Sequence, residues 1–339
     1  MAMPVNELDA HKVRGAWSEY KPEEDIVRAR SLAGDIIAEL QDPEPPGIST
    51  PIVQGFRFRP SELTIWGGSN GSGKSQLMSQ LMLYMMMHGK RVCLFSFEMR
   101  PEETLKRMLR MAFGRPVGAK DIPAVDRFFA HFQDLLWIYR NRGSIEAQYA
   151  LDGAFYAASE LKCEHVVVDN LMMLASASNS DSLYQVQKQV VESLKQIADQ
   201  TSAHIHLVAH LRKNQANTDN QAPSRYDISG SADISNLADN VILINRNFDK
   251  EREALRTGMK TEQWDEKCDS LLLVDKQRAN GRLLRQKLWY ERRSGQFCPT
   301  ASRRLFELAP QEITGIDLTA SHQMENLWTD ETWKKEYGA

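Results

Sequence analysis

Gly68-Ser69-Asn70-Gly71-Ser72-Gly73-Lys74-Ser75 fits the spacing G-x-x-x-x-G-K-[ST], and the apolar run Leu63–Trp66 stands directly before it. That spacing suits phosphate chemistry. Glycines let a backbone wrap a phosphate closely with its N–H groups turned inward. The helix expected to follow adds partial positive charge at its first turn. In such a loop Lys74 bridges the β- and γ-phosphates of ATP and Ser75 ligates Mg²⁺. Residues Gly68 to Gln76 are therefore the expected nucleotide contacts.

Three further polar residues each close an apolar run. Asp169 ends VVVD, where an acid faces the phosphate loop and holds Mg²⁺ directly or through water. An acid after a strand also caps helices, but the loop upstream favours the metal role. Glu98 follows VCLFSF, placed to orient and deprotonate an attacking water. Its flanking residues, Phe97 and Met99, make it an awkward helix cap. His210 closes IHLVA, placed to sense the γ-phosphate and pass its loss to the adjoining loop. His206, four residues earlier, has no such position.

These side chains need a scaffold. Strand-like runs at Leu63–Trp66, Arg91–Phe97, Leu135–Tyr139, His165–Val168, Ile205–Ala209, Val241–Ile244, Leu271–Asp275 and Lys287–Tyr290 alternate with helical segments near 74–88, from Pro101, 144–161 and 181–200. Continuous apolar strands alternating with helices predict an α/β fold, a mostly parallel sheet covered on both faces. Ligands of such folds sit at the carboxyl ends of the strands, where the polar residues above fall.

The chain has 339 residues, 26% of them charged and 42% hydrophobic, with 42 Lys+Arg against 45 Asp+Glu. A net charge of −3 excludes coating nucleic acid by bulk charge, so any phosphate-binding surface must be local. The cysteines, Cys93, Cys163, Cys268 and Cys298, include no C-x-x-C pair, which suggests neither zinc nor a disulfide framework. The N-terminus lacks a signal-peptide pattern and Leu77–Met87 is too short to span a bilayer. A cytoplasmic location with no membrane association is expected.

Three regions are expected. Residues 1–51 form an extension with an amphipathic helix over 22–41 and the Pro-rich linker DPEPPGISTP. That helix carries a stripe including Ile36, Ile37 and Leu40, which packs either on its own domain or on a neighbouring subunit. Residues 52–308 form the ATPase domain, and 309–339 an acidic tail that either docks on a basic partner or solvates a disordered end.

The run CLFSFEM-x-PEE resembles the replicative hexameric helicases of the DnaB type. The histidine of IHLVAHL, the segment DISGSADISNLADNVILINRN and DKQRANGR before LWYERRSGQF are similar to the phage primase-helicase and Twinkle branch. The likeness spans about residues 50–308. It implies a RecA-like P-loop NTPase that assembles as a homo-oligomer, a hexameric ring, and moves along single-stranded DNA with ATP and Mg²⁺. It implies that Arg278, with Lys276 beside it, reaches the neighbouring subunit's ATP, and that Arg246 and Tyr290 hold the nucleotide base. Primase, polymerase or a loader are the implied further partners.

Two patternless loops follow the Asp169 and His210 strands: Ala175-SASNSDS, and Leu211-RKNQANTDNQAPSRYDIS with Arg212, Lys213 and Arg225. Loops of this kind are usually functional, and in the resembling family they grip the DNA backbone. Residues 276–293 hold seven Lys/Arg against Glu291, suiting either nucleic acid or a subunit interface. Two other readings share this framework: a recombination or repair ATPase forming filaments on DNA, and a KaiC-like regulatory ATPase indifferent to DNA.

Overall fold

Strands without a solvent-facing side belong in the middle layer of a domain, and five of the six parallel strands are buried there along most of their length, while the sixth, at the edge of the sheet, is half-buried. The computed structural model describes residues 28–41, 46–140, 146–172, 183–212, 223–229, 232–257 and 266–315. Strands β3 (Leu63–Gly68), β4 (Val92–Ser96), β5 (Leu136–Tyr139), β6 (His165–Asp169), β7 (His204–His210) and β8 (Asn240–Arg246) are parallel. They run β8-β3-β7-β6-β4-β5 across the sheet. Strands β9 (Ser270–Gln277), β10 (Leu284–Glu291) and β11 (Gln296–Cys298) extend the β8 edge antiparallel. The expected mostly parallel α/β sheet is the one observed, with strand ends moved by one to three residues.

Side-chain alternation divides the core into two layers. Trp66, Val208, Ile242 and Ile244 face α2 (Lys74–Met87), α3 (Pro101–Ala112), α4 (Ile122–His131) and the hairpin β1 (Ile48–Thr50)–β2 (Val53–Phe58). Ile65, Leu207, Val241 and Leu243 face α5 (Ala147–Ser159) and α6 (Leu183–Thr201). Helix α2 buries Leu77, Leu81, Met82, Met85 and Met86, because it is wedged between the sheet, α3 and β11. A helix apolar all round must be enclosed this way. Among the described residues no helix is long and apolar enough to cross a membrane.

At the N-terminus a 3-10 turn, Ala29–Leu32, leads into α1 (Ala33–Gln41). Leu32, Ile36, Ile37 and Leu40 are exposed, Leu40 by 79%. The described part of the stripe does not pack on its own domain; residues 22–27 of the expected helix lie outside the described residues. At the other end the core continues past residue 308. Ala309 and Ile313 are buried, and a short helix, Gln311–Thr314, packs on α4, with Arg127 donating to the Ile313 carbonyl (3.2 Å).

Candidate active site

The register of the sheet puts the chemistry on one rim. Gly68 pairs with His210 and with Ile244, and Ser96 pairs with Asp169, so the ends of β3, β4, β6, β7 and β8 lie side by side. The loop ending in Lys74, and Glu98, Asp169, His210 and Arg246, all leave the sheet there.

The cradle is built from backbone that only glycine tolerates. Gly73 has φ +95°, and a Cβ there would stand 2.8 Å from Phe297 Cζ. A Cβ on Gly68 would meet the Ile244 carbonyl oxygen at 2.8 Å. Lys74 is buried, and its ammonium donates to the carbonyls of Gly68 (2.8 Å) and Ser69 (3.0 Å). Burial lowers its pKa, while the Asp169 and Glu98 carboxylates work the other way. No carboxylate within 4 Å pairs with this ammonium among the described residues, so an anion fits the cradle. Arg246 donates to the Gly71 carbonyl (2.8 Å) and grips Glu251 with two bonds (2.8 and 3.0 Å), closing the loop from the β8 side.

Beside the lysine lies a site suited to a divalent cation. Burial raises the pKa of Asp169, a bond from the Ser75 hydroxyl lowers it, and Glu98 raises it further. A buried carboxylate pressed by a second carboxylate gains from a cation, and hydroxyl plus carboxylate oxygens suit magnesium. Arg107 of α3, not singled out in the sequence, lines a small cavity with Ser75, Ser96, Thr104 and Asp169. Burial lowers the pKa of its guanidinium, and Asp169 offsets this in part.

Glu98 and His210 are brought together by a residue that sequence reasoning missed. The amide nitrogen of Asn170 lies within hydrogen-bonding distance of Glu98 Oε1 and 2.9 Å from His210 Nε2. His210 Nδ1 is 3.5 Å from Lys74 Nζ. The only signal in the sequence was position, since Asn170 directly follows Asp169.

Other expected residues fall around this centre. Tyr290 is half-buried against Phe297 (ring centroids 5.2 Å), and Phe297 abuts Gly73. Gln76 donates to the Gly295 carbonyl (2.6 Å), pinning the start of α2 to the β10–β11 turn. Arg278 sits elsewhere. Gln277 pairs with Asn240 at the start of β8, whereas the cradle adjoins its end, so Arg278 lies at the far end of the sheet from its own Lys74. Its side chain is 60% exposed and donates to the buried Asp239 (2.9 Å). Lys276 donates to the carbonyls of Ser235, Asn236 and Ala238 (3.0, 2.9 and 2.6 Å), closing the end of α7 (Ala232–Leu237). Arg212 is exposed, and Arg225 is engaged with Asp275 and Tyr226. Lys213 and the loop 175–182 lie outside the described residues.

With this geometry in view, similarity to known proteins becomes decisive. The family described as DnaB-like helicase C terminal domain matches residues 51–298. The chain belongs to that family. Among curated relatives of this DnaB-like chain, a DNA helicase/primase of Enterobacteria phage T3 is 25% identical over 241 residues, 66% of this chain and 43% of the phage protein. The Twinkle homolog protein, chloroplastic/mitochondrial, of Arabidopsis thaliana is 27% identical over 207 residues, 56% of this chain and 29% of the plant protein. The chain thus spans under half the length of either. A solved structure described as an ATPase domain superposes with a TM-score of 0.64 at 17% identity, covering 81% of this chain and all of that one. A DnaB-like replicative helicase solved in a study of its interactions with primase gives 0.62 at 16%, covering 80% and 67%. These solved structures establish the RecA-like fold.

Proposed function

We propose that this DnaB-like chain is an ATP-dependent replicative DNA helicase, a ring-forming motor that translocates on single-stranded DNA. One observation carries the reading: Lys74, Asp169, Glu98 and His210 converge on one rim while Arg278 stands at the opposite end of the sheet. A chain that carries a cradle at one end and an exposed arginine at the other completes its site only against a second copy. An arginine supplied in trans contributes on the order of 10³–10⁵ in rate in other NTPases.

In this reading the loop Gly68–Gln76 binds the triphosphate, Arg246 and Tyr290 flank its base, and Ser75 and Asp169 hold Mg²⁺. The metal, when bound, neutralises charge on the phosphate oxygens. Lys74 leaves its two loop carbonyls for the phosphates. Glu98, held by Asn170, orients a water and accepts its proton. His210 lies at the end of β7, and its carbonyl accepts a bond from Ser229 N–H (2.7 Å), so a change at the histidine reaches the base of the loop carrying Arg212, Lys213 and Arg225. Those residues contact the DNA backbone. Primase is the expected further partner, and the cytosol, which keeps thiols reduced, the expected compartment. The test is the ATPase rate with and without single-stranded DNA, alongside the native mass. A ring whose rate rises with DNA supports the proposal; a monomer indifferent to DNA ends it.

A further inference from the structure

Residues 223–229 and 232–239 lie along the stretch of β9 that leads to Arg278, and they hold it at successive positions. The backbone N–H of Arg225 donates to Asp275 Oδ2 (2.7 Å), and its guanidinium donates to the Asp275 carbonyl (3.3 Å). Lys276 donates to the three carbonyls at the end of α7. Arg278 donates to Asp239 twice: its N–H to the Asp239 carbonyl (2.9 Å), and its side chain to the Asp239 carboxylate (2.9 Å). At its upstream end the same segment is tied to the loop neck. Leu211 bridges to Ile228, Arg212 N–H donates to the Asp227 carbonyl (2.8 Å), and Ser229 N–H donates to the His210 carbonyl.

Arg225 occupies the first position of a 3-10 turn, Arg225–Asp227, after an extended Ser224. Its N–H therefore has no partner within the turn, and the Asp275 carboxylate supplies a charge-assisted one. We infer that Asp275 is a positioning residue: its bond to the Arg225 N–H links the DNA-loop neck to the strand that presents Arg278. Through this link a loop that has engaged DNA sets the arginine that completes the next subunit's site. The inference rests on the proposed function, since it takes Arg278 to act in trans and 211–228 to meet DNA. In the proposed function Asp275 acts through Arg225 and has no contact of its own with nucleotide or DNA.

The experiment uses the full chain with oligodeoxythymidylate as probe. Asp275→Ala is expected to keep the DNA-free ATPase rate within about twofold and to lose about tenfold of the DNA stimulation. Asp275→Asn, which keeps an oxygen facing the Arg225 N–H, retains the stimulation. Stimulation by Asp275→Ala equal to the parent's, or its equal loss in both variants, overturns the proposal. Should Asp275→Ala fail to fold, Arg225→Ala and Arg225→Pro carry the test. Both lack the guanidinium, but only proline, which suits the first position of such a turn, lacks the N–H. A loss in Arg225→Pro beyond that of Arg225→Ala supports the link, and equal behaviour of the two refutes it. Arg278→Ala is run alongside. If it keeps the DNA-stimulated rate, the reading of Arg278 as a trans arginine fails, whatever Asp275 does.

Discussion

The side-chain amide nitrogen of Asn170 stands 2.9 Å from Nε2 of His210, and the same nitrogen reaches the Glu98 carboxylate. An amide nitrogen only donates, so a neutral His210 that accepts at Nε2 carries its proton on Nδ1. Yet Nδ1 faces the Lys74 ammonium at 3.5 Å, which is also a donor. One neutral tautomer cannot accept from both. In the proposed reaction Lys74 turns to a phosphate, and Nδ1 then loses this second donor.

Asn170→Ala is therefore expected to lower kcat by about 10²-fold, the scale of one lost orienting contact at a catalytic base. Binding of a fluorescent ATP analogue should stay close to the parent's, because the amide of Asn170 holds Glu98 and His210, which lie outside the loop Gly68–Gln76. Steady-state kinetics beside equilibrium binding separates the two. Rate and affinity falling in parallel would place Asn170 in binding instead.

Gly73→Ala should cost about 1–3 kcal/mol of stability and weaken nucleotide binding. The backbone has φ +95°, and the new Cβ would sit 2.8 Å from the ring of Phe297. Gly118→Ala is the control: its φ is −134° and nothing lies within 4 Å, so a change within about 0.5 kcal/mol is expected. Urea unfolding of both variants reads the contrast.

The phosphate-loop spacing, the order of strands and helices, and the placing of Glu98, Asp169 and His210 at strand ends were legible because each depends on local spacing. The hairpin β1–β2 was not, because it lies beside a proline-rich stretch and is stabilised by remote contacts such as Gln54 N–H to Gln286 Oε1 (2.8 Å). β11 escaped because it is three residues long. Asn170 and Arg107 carry no motif, and only the third dimension brings them to Glu98 and Asp169. For Lys276 the resemblance implied a place beside Arg278; the three carbonyls at the end of α7 that its ammonium meets are set by the packing of α7 on β9, which no local spacing announces.

Acid should destabilise the fold through three buried histidines. Trp66 Nε1–H donates to His206 Nδ1 (3.2 Å), so His206 carries its proton on Nε2 and gives it to His165 Nδ1 (3.2 Å). His204 donates from Nδ1 to the Arg59 carbonyl (2.6 Å) and accepts at Nε2 from Thr64 (2.8 Å). All three are neutral in this arrangement. Burial lowers each pKa, that of His204 to about 4. The charges facing them are Lys90 at His165, and Asp239, Lys195 and Arg59 at His204. Below the ordinary value of about 6.5 the unfolded chain takes up protons that the fold refuses, so stability falls with pH, by about 3 kcal/mol for His204 by the time pH reaches about 4. Urea midpoints at pH 7.5, 6 and 5 should decline in order. A flat profile would show that these rings titrate normally.

Asp239 and Arg278 should separate stability from catalysis. Asp239 is buried and receives the Leu63 N–H (2.8 Å), Lys195 (2.9 Å) and Arg278 (2.9 Å). Asp239→Ala should cost about 3 kcal/mol, because it strands a partly buried ammonium and a buried N–H. Arg278→Ala removes an exposed partner and should cost under about 1 kcal/mol, while lowering hydrolysis by about 10³-fold. Melting curves and ATPase rates on the same preparations check both.

The most direct test mixes two inactive variants in one assembly. Lys74→Ala lacks the cradle's ammonium and Arg278→Ala lacks the arginine, so each alone should fail to hydrolyse ATP. Where an Arg278→Ala subunit offers its intact cradle to the intact arginine of a Lys74→Ala subunit, one complete site is restored. The mixture should therefore hydrolyse ATP well above the sum of its parts. A mixture that does no better than that sum would contradict an active site shared between subunits.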